Sequence, residues 1–302
     1  MRILLFGKHG QLGWELQRSL APLGELIALG REGSGDLGGD LTDLAGLASS
    51  VRRVAPAVIV NAAAYTAVDQ AEAEPELAWQ VNAAAPAVLA DEARKLNAWL
   101  IHYSTDYVFD GRGHVPWRED DATAPLSVYG QSKRAGELAV ADCPQHLILR
   151  TAWVFAAHGR NFMRTILRLA RERDRLEVVS DQFGAPTGAQ LIADVTAHLL
   201  RTLVCRPERA ATLAGIYHLV ASGETNWHEY ACRVIDRARR AGQPIRVATD
   251  GVIPIAGSAY PLPAPRPANS RLATDKLRDA FALCLPDWRI GVDRLLHEMF
   301  EC

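Results

Sequence analysis

The 302-residue chain predicts an α/β fold: a doubly wound parallel sheet with a smaller α/β region attached. Three observations predict it. Short apolar runs alternate with helical patterns through the first half. The first run leads straight into a glycine turn, the context in which a glycine motif gains meaning. The second half then breaks the alternation with irregular, proline-rich sequence. Hydrophobic residues make up 49% and charged residues 23%, ordinary proportions for a globular chain with room for a large core. A net charge of -2 argues against a general nucleic-acid or membrane surface. No apolar segment reaches membrane-spanning length. Cys143, Cys205, Cys232, Cys284 and Cys302 are scattered and form no CxxC, so they read as reduced thiols of a cytosolic protein.

Residues 2–6 read as a buried strand, followed by Gly7-Lys-His-Gly10-Gln-Leu-Gly13. Leu12, Leu16 and Leu20 fall at helical spacing until Ala21-Pro22 ends the pattern. Glycines let a backbone approach a pyrophosphate, and a helix N-terminus attracts its charge. The spacing is GxxGxxG, with Lys8 where the commoner GxGxxG places glycine. Residues 25–29 form the second strand. Its end normally reads the adenosine ribose, an acid bonding a 2′-hydroxyl and an arginine accommodating a 2′-phosphate. Here it exits through Gly30-Arg31-Glu32, so Arg31 leans towards NADP while adjacent Glu32 leaves NAD open. Asp40-Leu41 looks like an acid–apolar pair that caps an adenine ring.

Residues 56–60 form another buried strand, ending in Asn61-Ala62-Ala63-Ala64-Tyr65-Thr66, small side chains past which a flat cofactor fits. Helical sequence follows through Trp79 and from Ala83 to Leu96. The run 99–103 is a strand ending in Ser104-Thr105-Asp106, and Tyr129-Gly-Gln-Ser-Lys133 opens a helix. A free phenol titrates at about 10, and a neighbouring ammonium lowers that value. Positions i and i+4 share a helix face, so Tyr129 and Lys133 can enter one cleft, with Ser104 or Thr105 on the same carbonyl oxygen. Residues 147–150 read as a strand leading to Thr151-Ala-Trp153. Helices follow from Asn161 to Arg173, Leu191 to Val204 and Trp227 to Arg240, with strands near 177–180 and 215–220. The segment from Tyr260 to Arg271 holds Arg266 in a proline-stiffened loop suited to a phosphate. The division expected is a Rossmann-type dinucleotide domain over residues 1–155, joined by later segments, and a mainly sugar-nucleotide-binding region over 156–302. No HxxxH, HExxH or GxSxG motif points to metal or serine-nucleophile chemistry.

With these motifs in place, the chain resembles the dTDP-4-dehydrorhamnose reductase family of the extended short-chain dehydrogenase/reductase superfamily over almost its full length. The resemblance rests on residues 7–16, 61–69, 104–109, 128–133, 149–153, 181–187 and 266–271. It implies cytoplasmic hydride transfer from a nicotinamide to C4 of dTDP-4-dehydro-β-L-rhamnose, the last step to dTDP-β-L-rhamnose, with NADPH or NADH as donor. Tyr129 would donate the proton, Lys133 bind the ribose and depress the Tyr129 pKa, and Thr105 bond the reacting oxygen. Asp106, Trp153 and Arg266 would hold the sugar nucleotide. Gly7, Gly10, Gln11, Leu12, Arg31, Asp40, Leu41 and residues 62–66 would line the cofactor. It also implies a homodimer with structural Mg2+ held through Glu15 and Glu298, with Gln190 replacing a third glutamate. Other readings on the same fold are a different nucleotide-deoxyketosugar reductase, an epimerase, or a non-catalytic regulatory subunit.

Overall fold

The computed structural model describes residues 1–205 and 207–300; Cys302 lies outside them, and the other four cysteines are free thiols. Five strands alternate with helices in the first half: β1 (Arg2–Phe6), β2 (Glu25–Leu29), β3 (Val58–Asn61), β4 (Trp99–Thr105) and β5 (His146–Thr151). A sixth, Gly215–His218, returns from the second half and pairs with β5. The sheet is parallel throughout, in the order Gly215–His218, β5, β4, β3, β1, β2. Chain order therefore reverses at the boundary of β1 and β3, and ligands of such sheets bind in the crevice beyond the strand ends at that point.

The strands are apolar on both sides because helices cover both faces. Alternate residues of β1 divide between two cores. Ile3 and Leu5 pack with Leu16 and Leu20 of helix α1 (Gln11–Leu20) and with Ile192 and Leu199 of the Ala189–Cys205 helix. Leu4 and Phe6 pack with Leu47 and Val51 of helix α2 (Leu44–Val54) and with Leu89 of the Ala85–Leu96 helix. Helix α2 follows the glycine-rich stretch and is capped by Asp43, whose carboxylate accepts from the Gly46 amide at 2.9 Å.

The rest forms a smaller body with its own core, including Met163, Ile166, Tyr230, Val234, Trp288 and Leu295. Its sheets are two-stranded: Leu176–Val179 with Val252–Ile255, Phe183–Gly184 with Thr225–Asn226, and Val154–Phe155 with Thr187–Gly188. The Ala189–Cys205 helix, the Gly215–His218 strand and the Asp275–Phe281 helix pack against the main sheet. Among the described residues no helix is long and apolar enough to cross a membrane.

Candidate active site

The crevice beyond β1 and β3 opens into a cleft of about 770 Å³ between the two bodies. Its floor is the glycine turn. The Gly7 and Lys8 amides both donate to the Leu29 carbonyl, fastening the turn to the end of β2. Gly7 sits at φ +88°, and a Cβ there would meet the Ala63 amide nitrogen at 2.7 Å. A Cβ on Gly13 would lie 1.9 Å from the Gly7 carbonyl oxygen. A side chain at Gly7 would collide with the backbone after β3 and one at Gly13 with the turn itself, so the two glycines let β1, the turn and α1 pack this closely. Helix α1 has Gly10 as its N-cap and no side chain bonding its first amides, so those donors face the cleft. A cradle of this shape, at a helix N-terminus, fits a dinucleotide pyrophosphate.

Asn82 joins the cofactor side to the Tyr129 helix. Its Oδ1 accepts from the Tyr65 amide at 2.9 Å, and its Nδ2 donates to the Tyr65 carbonyl at 3.0 Å and the Ser132 hydroxyl at 3.1 Å. It lies in a π-helical stretch, Gln80–Ala84, that precedes the Ala85–Leu96 helix. Such widened turns recur at functional sites, and this one could not be read from the sequence.

At the far side, Ser127 caps the Val128–Ala141 helix, which carries Tyr129 and Lys133 into the cleft beside Ser104 and Thr105. The Tyr129 ring is half-buried and meets Tyr107 edge-on at 5.6 Å. Burial pushes the Tyr129 phenol up to about 12; the Thr105 hydroxyl opposes the rise and the Asp106 carboxylate adds to it. Lys133 is buried and donates to the Tyr103 carbonyl at 2.7 Å. Burial pushes its ammonium down to about 8, with Glu137 opposing. The direction for Tyr129 is thus opposite to the expected depression: desolvation dominates, and the Lys133 ammonium is engaged by the Tyr103 carbonyl. Asp106 is 2% exposed and accepts from the Thr105 hydroxyl at 3.1 Å. Burial raises its carboxyl to about 6, against the Ser270 and Thr105 hydroxyls and nearby amides.

The opposite wall is aromatic. Trp153 has φ 49°, rare for a bulky residue, and its ring stacks on Trp227 with centroids 3.6 Å apart and planes 16° apart. Thus the expected positions Gly7, Gly10, Gln11, Leu12, Arg31, Asp40, Leu41, Ala62–Thr66, Thr105, Asp106, Tyr129, Lys133 and Trp153 all line one cleft. His9, Tyr107, Arg160 and Trp227 line it too and were not singled out from the sequence. Arg266 lies off the lining. Its guanidinium donates to Asp69 at 2.7 Å and the Ala264 carbonyl at 3.0 Å, so the proline-stiffened loop folds onto the segment after β3. Arg160 is a cation from the smaller body that does reach the cleft.

Glu15, Gln190 and Glu298 lie away from it. The Gln190 amide donates to Glu298 at 3.4 Å, while Arg294 pairs with Glu298 at 2.9 Å and Arg18 with Glu15 at 3.4 Å. Arg18 is shared with Asp194 at 2.8 Å, and Gln190 brings no charge. Among the described residues no group of three or more His, Cys, Asp or Glu gathers to hold a metal. Within the single chain the described residues thus form no magnesium centre.

Comparison with known proteins gives the same outline. Residues 1–301 match the family described as the RmlD substrate binding domain. The dTDP-4-dehydrorhamnose reductase of Salmonella typhimurium is 56% identical over 301 residues, covering 99% of this chain and 98% of that protein. A solved dTDP-4-dehydrorhamnose reductase from Clostridium acetobutylicum superposes with a TM-score of 0.86 at 32% identity, covering 99% of each chain. The Bacillus anthracis enzyme, solved in complex with NADP, gives 0.83 at 32% identity, covering 98% of this chain and 99% of that one.

Proposed function

The chain belongs to the RmlD substrate-binding family, the family of the dTDP-4-dehydrorhamnose reductases, and from that premise we propose how its own residues carry out the reduction. The reaction is reduction of the C4 ketone of a dTDP-4-dehydrorhamnose to the alcohol by NADPH. The observation that carries the proposal is one cleft with a glycine cradle at one end and Thr105, Tyr129 and Lys133 at the other. When bound, the reduced nicotinamide supplies the hydride. Gly7 and Gly10 leave room for its pyrophosphate, Gly13 lets α1 pack close under the turn, and the α1 amides face the charge. Ala62, Ala63 and Ala64 let its flat part lie against the backbone, and Asp40-Leu41 flank the adenine.

Tyr129 is the proton donor. A phenol held near 12 stays protonated at neutral pH, as an acid serving a nascent alkoxide must. Thr105 turns its single hydroxyl proton from Asp106 to the same reacting oxygen. Lys133, anchored on the Tyr103 carbonyl, holds positive charge beside the ribose and the departing proton. Asp106 and Trp153 hold the sugar, with the Trp153–Trp227 stack as a rigid wall. Nucleotide binding positions a small ketone that offers little grip of its own. In this reading residues 1–155 and the returning segments carry the cofactor, and the smaller body carries the sugar nucleotide.

The test is net turnover. Protein, NADPH and dTDP-4-dehydrorhamnose should together give stoichiometric loss of reduced-nicotinamide absorbance and one alcohol at C4. Interconversion of sugar epimers without net oxidation would replace the reductase with an epimerase. Folded protein that binds the dinucleotide but turns over no ketose would favour a regulatory role.

A further inference from the structure

Segment 156–161 of the smaller body rides on the first turn of α1. Gln11, the first residue of that helix, makes the join. Its Oε1 accepts from the Asn161 side-chain amide at 2.8 Å, and its own amide donates to the Arg160 carbonyl at 3.4 Å. Gly159, at φ +74°, comes so close that a Cβ there would sit 3.0 Å from the Gln11 side chain. One turn along, the Trp14 ring meets His158 edge-on at 5.6 Å. The segment is braced from its own side too. The Asn161 amide also donates to the Ala156 carbonyl at 2.8 Å, and the Arg164 guanidinium donates to the Ala157 carbonyl. The backbone of Arg160 is thereby fixed beside the uncapped end of α1, and its exposed side chain lines the cleft. The other cations lining the cleft are claimed. His9 pairs with Glu32 and Arg31 with Asp40, and Lys133 donates to the Tyr103 carbonyl. Among the described residues no acid or carbonyl takes the Arg160 guanidinium.

Resting on the reading that this cleft takes a nicotinamide dinucleotide, we propose that Arg160 reaches across from the smaller body and grips the cofactor's diphosphate on the side turned away from the α1 amides. The charge balance calls for such a group. A dinucleotide diphosphate carries two negative charges, and a helix N-terminus answers with the equivalent of only about half a positive charge. The glycine turn adds no free cation, because Lys8 and His9 both turn to Glu32 at 3.0 and 2.9 Å. A guanidinium supplies a full charge, and its planar fork meets two phosphate oxygens at once. The sugar nucleotide brings a diphosphate of the same chemistry, but its ketose must lie against Thr105 and Tyr129 at the far side of the cleft. The base of Arg160 is fastened at the cofactor side, to the first residue of α1. The cofactor is thus held by both bodies, the sheet offering backbone amides and the smaller body a side-chain charge.

The test is fluorescence titration of the intact chain with NADPH, without ketose, with displacement of NADPH by adenosine 2′-monophosphate and calorimetric titration with dTDP alongside. Arg160→Gln should raise Kd for NADPH about tenfold, the loss of one charge-assisted contact. Its affinities for adenosine 2′-monophosphate, which has no diphosphate, and for dTDP should match those of the parent. Arg160→Lys keeps the charge without the fork and should recover part of the loss. Asn161→Ala unfastens the segment and should weaken NADPH binding in the same direction. An unchanged Kd for NADPH in Arg160→Gln, or equal loss of NADPH and adenosine 2′-monophosphate, would overturn the assignment. Loss of dTDP binding with NADPH binding intact would also overturn it and move Arg160 to the sugar nucleotide's diphosphate. Wild-type protein that binds no dinucleotide would overturn the reductase reading beneath it.

Discussion

Replacing Asp106 with asparagine should stabilise the protein at neutral pH while impairing the site. The side chain is 2% exposed and its carboxyl is raised from 3.8 to about 6 by burial. The unfolded chain releases this proton near 3.8 and the folded chain near 6. Below the lower value both states are protonated and burial carries no charge penalty. Between the two values the unfolded state gains more from ionising, so folding stability falls as pH rises. Above the higher value the full penalty applies, about 3 kcal/mol at 1.36 kcal/mol per pH unit. Asparagine has nearly the same shape and its carbonyl can still accept from Thr105. The assay is urea unfolding of both proteins from pH 3.5 to 8, reading the difference in stability. That difference should move in favour of asparagine by about 3 kcal/mol across the interval and then level off. Turnover should fall if, as proposed, this carboxylate meets the sugar. A difference that stays flat with pH, or a variant less stable than the parent at pH 8, would refute the claim that this carboxylate is held against its own ionisation.

Three further outcomes follow from the geometry. Gly13→Ala puts a methyl 1.9 Å from the Gly7 carbonyl oxygen, so dinucleotide affinity should collapse in a binding titration. Asn82→Ala deletes three hydrogen bonds and should lower unfolding free energy by about 2–4 kcal/mol in urea. Glu137→Gln breaks a pair in which Arg150 and Glu137, 1% and 0% exposed, meet through two 2.8 Å bonds. It leaves a buried guanidinium without its counter-ion and should lower unfolding free energy by about 3–5 kcal/mol.

The parallel sheet was legible because strands buried on both faces are continuous apolar runs, and β1, the glycine turn and α1 are consecutive in the chain. The cofactor half of the cleft was legible for the same reason, since Gly7 to Leu12 and Ala62 to Thr66 each follow a strand end. Contacts made across the fold were not. Trp153 and Trp227 come together only when the smaller body closes on the sheet. The Arg266–Asp69 pair spans 197 residues, a contact that no local pattern announces. Asn82 carries its signal in a π-helical turn that periodicity does not reveal. The sign of the Tyr129 shift was missed for a different reason. Helical spacing places an ammonium nearby, but only the folded structure shows that ammonium held by the Tyr103 carbonyl and the phenol half-buried.

The measurement that bears most directly on the central claim compares Tyr129→Phe with the parent. Dinucleotide binding and single-turnover reduction of dTDP-4-dehydrorhamnose would be followed on the same samples. NADPH binding should stay close to that of the parent, and the reduction rate should fall by roughly 10²–10⁴-fold, the ordinary contribution of a positioned acid. A phenylalanine variant that binds NADPH and reduces the ketose at the parental rate would contradict that claim, and the proton would have to come from elsewhere in the cleft.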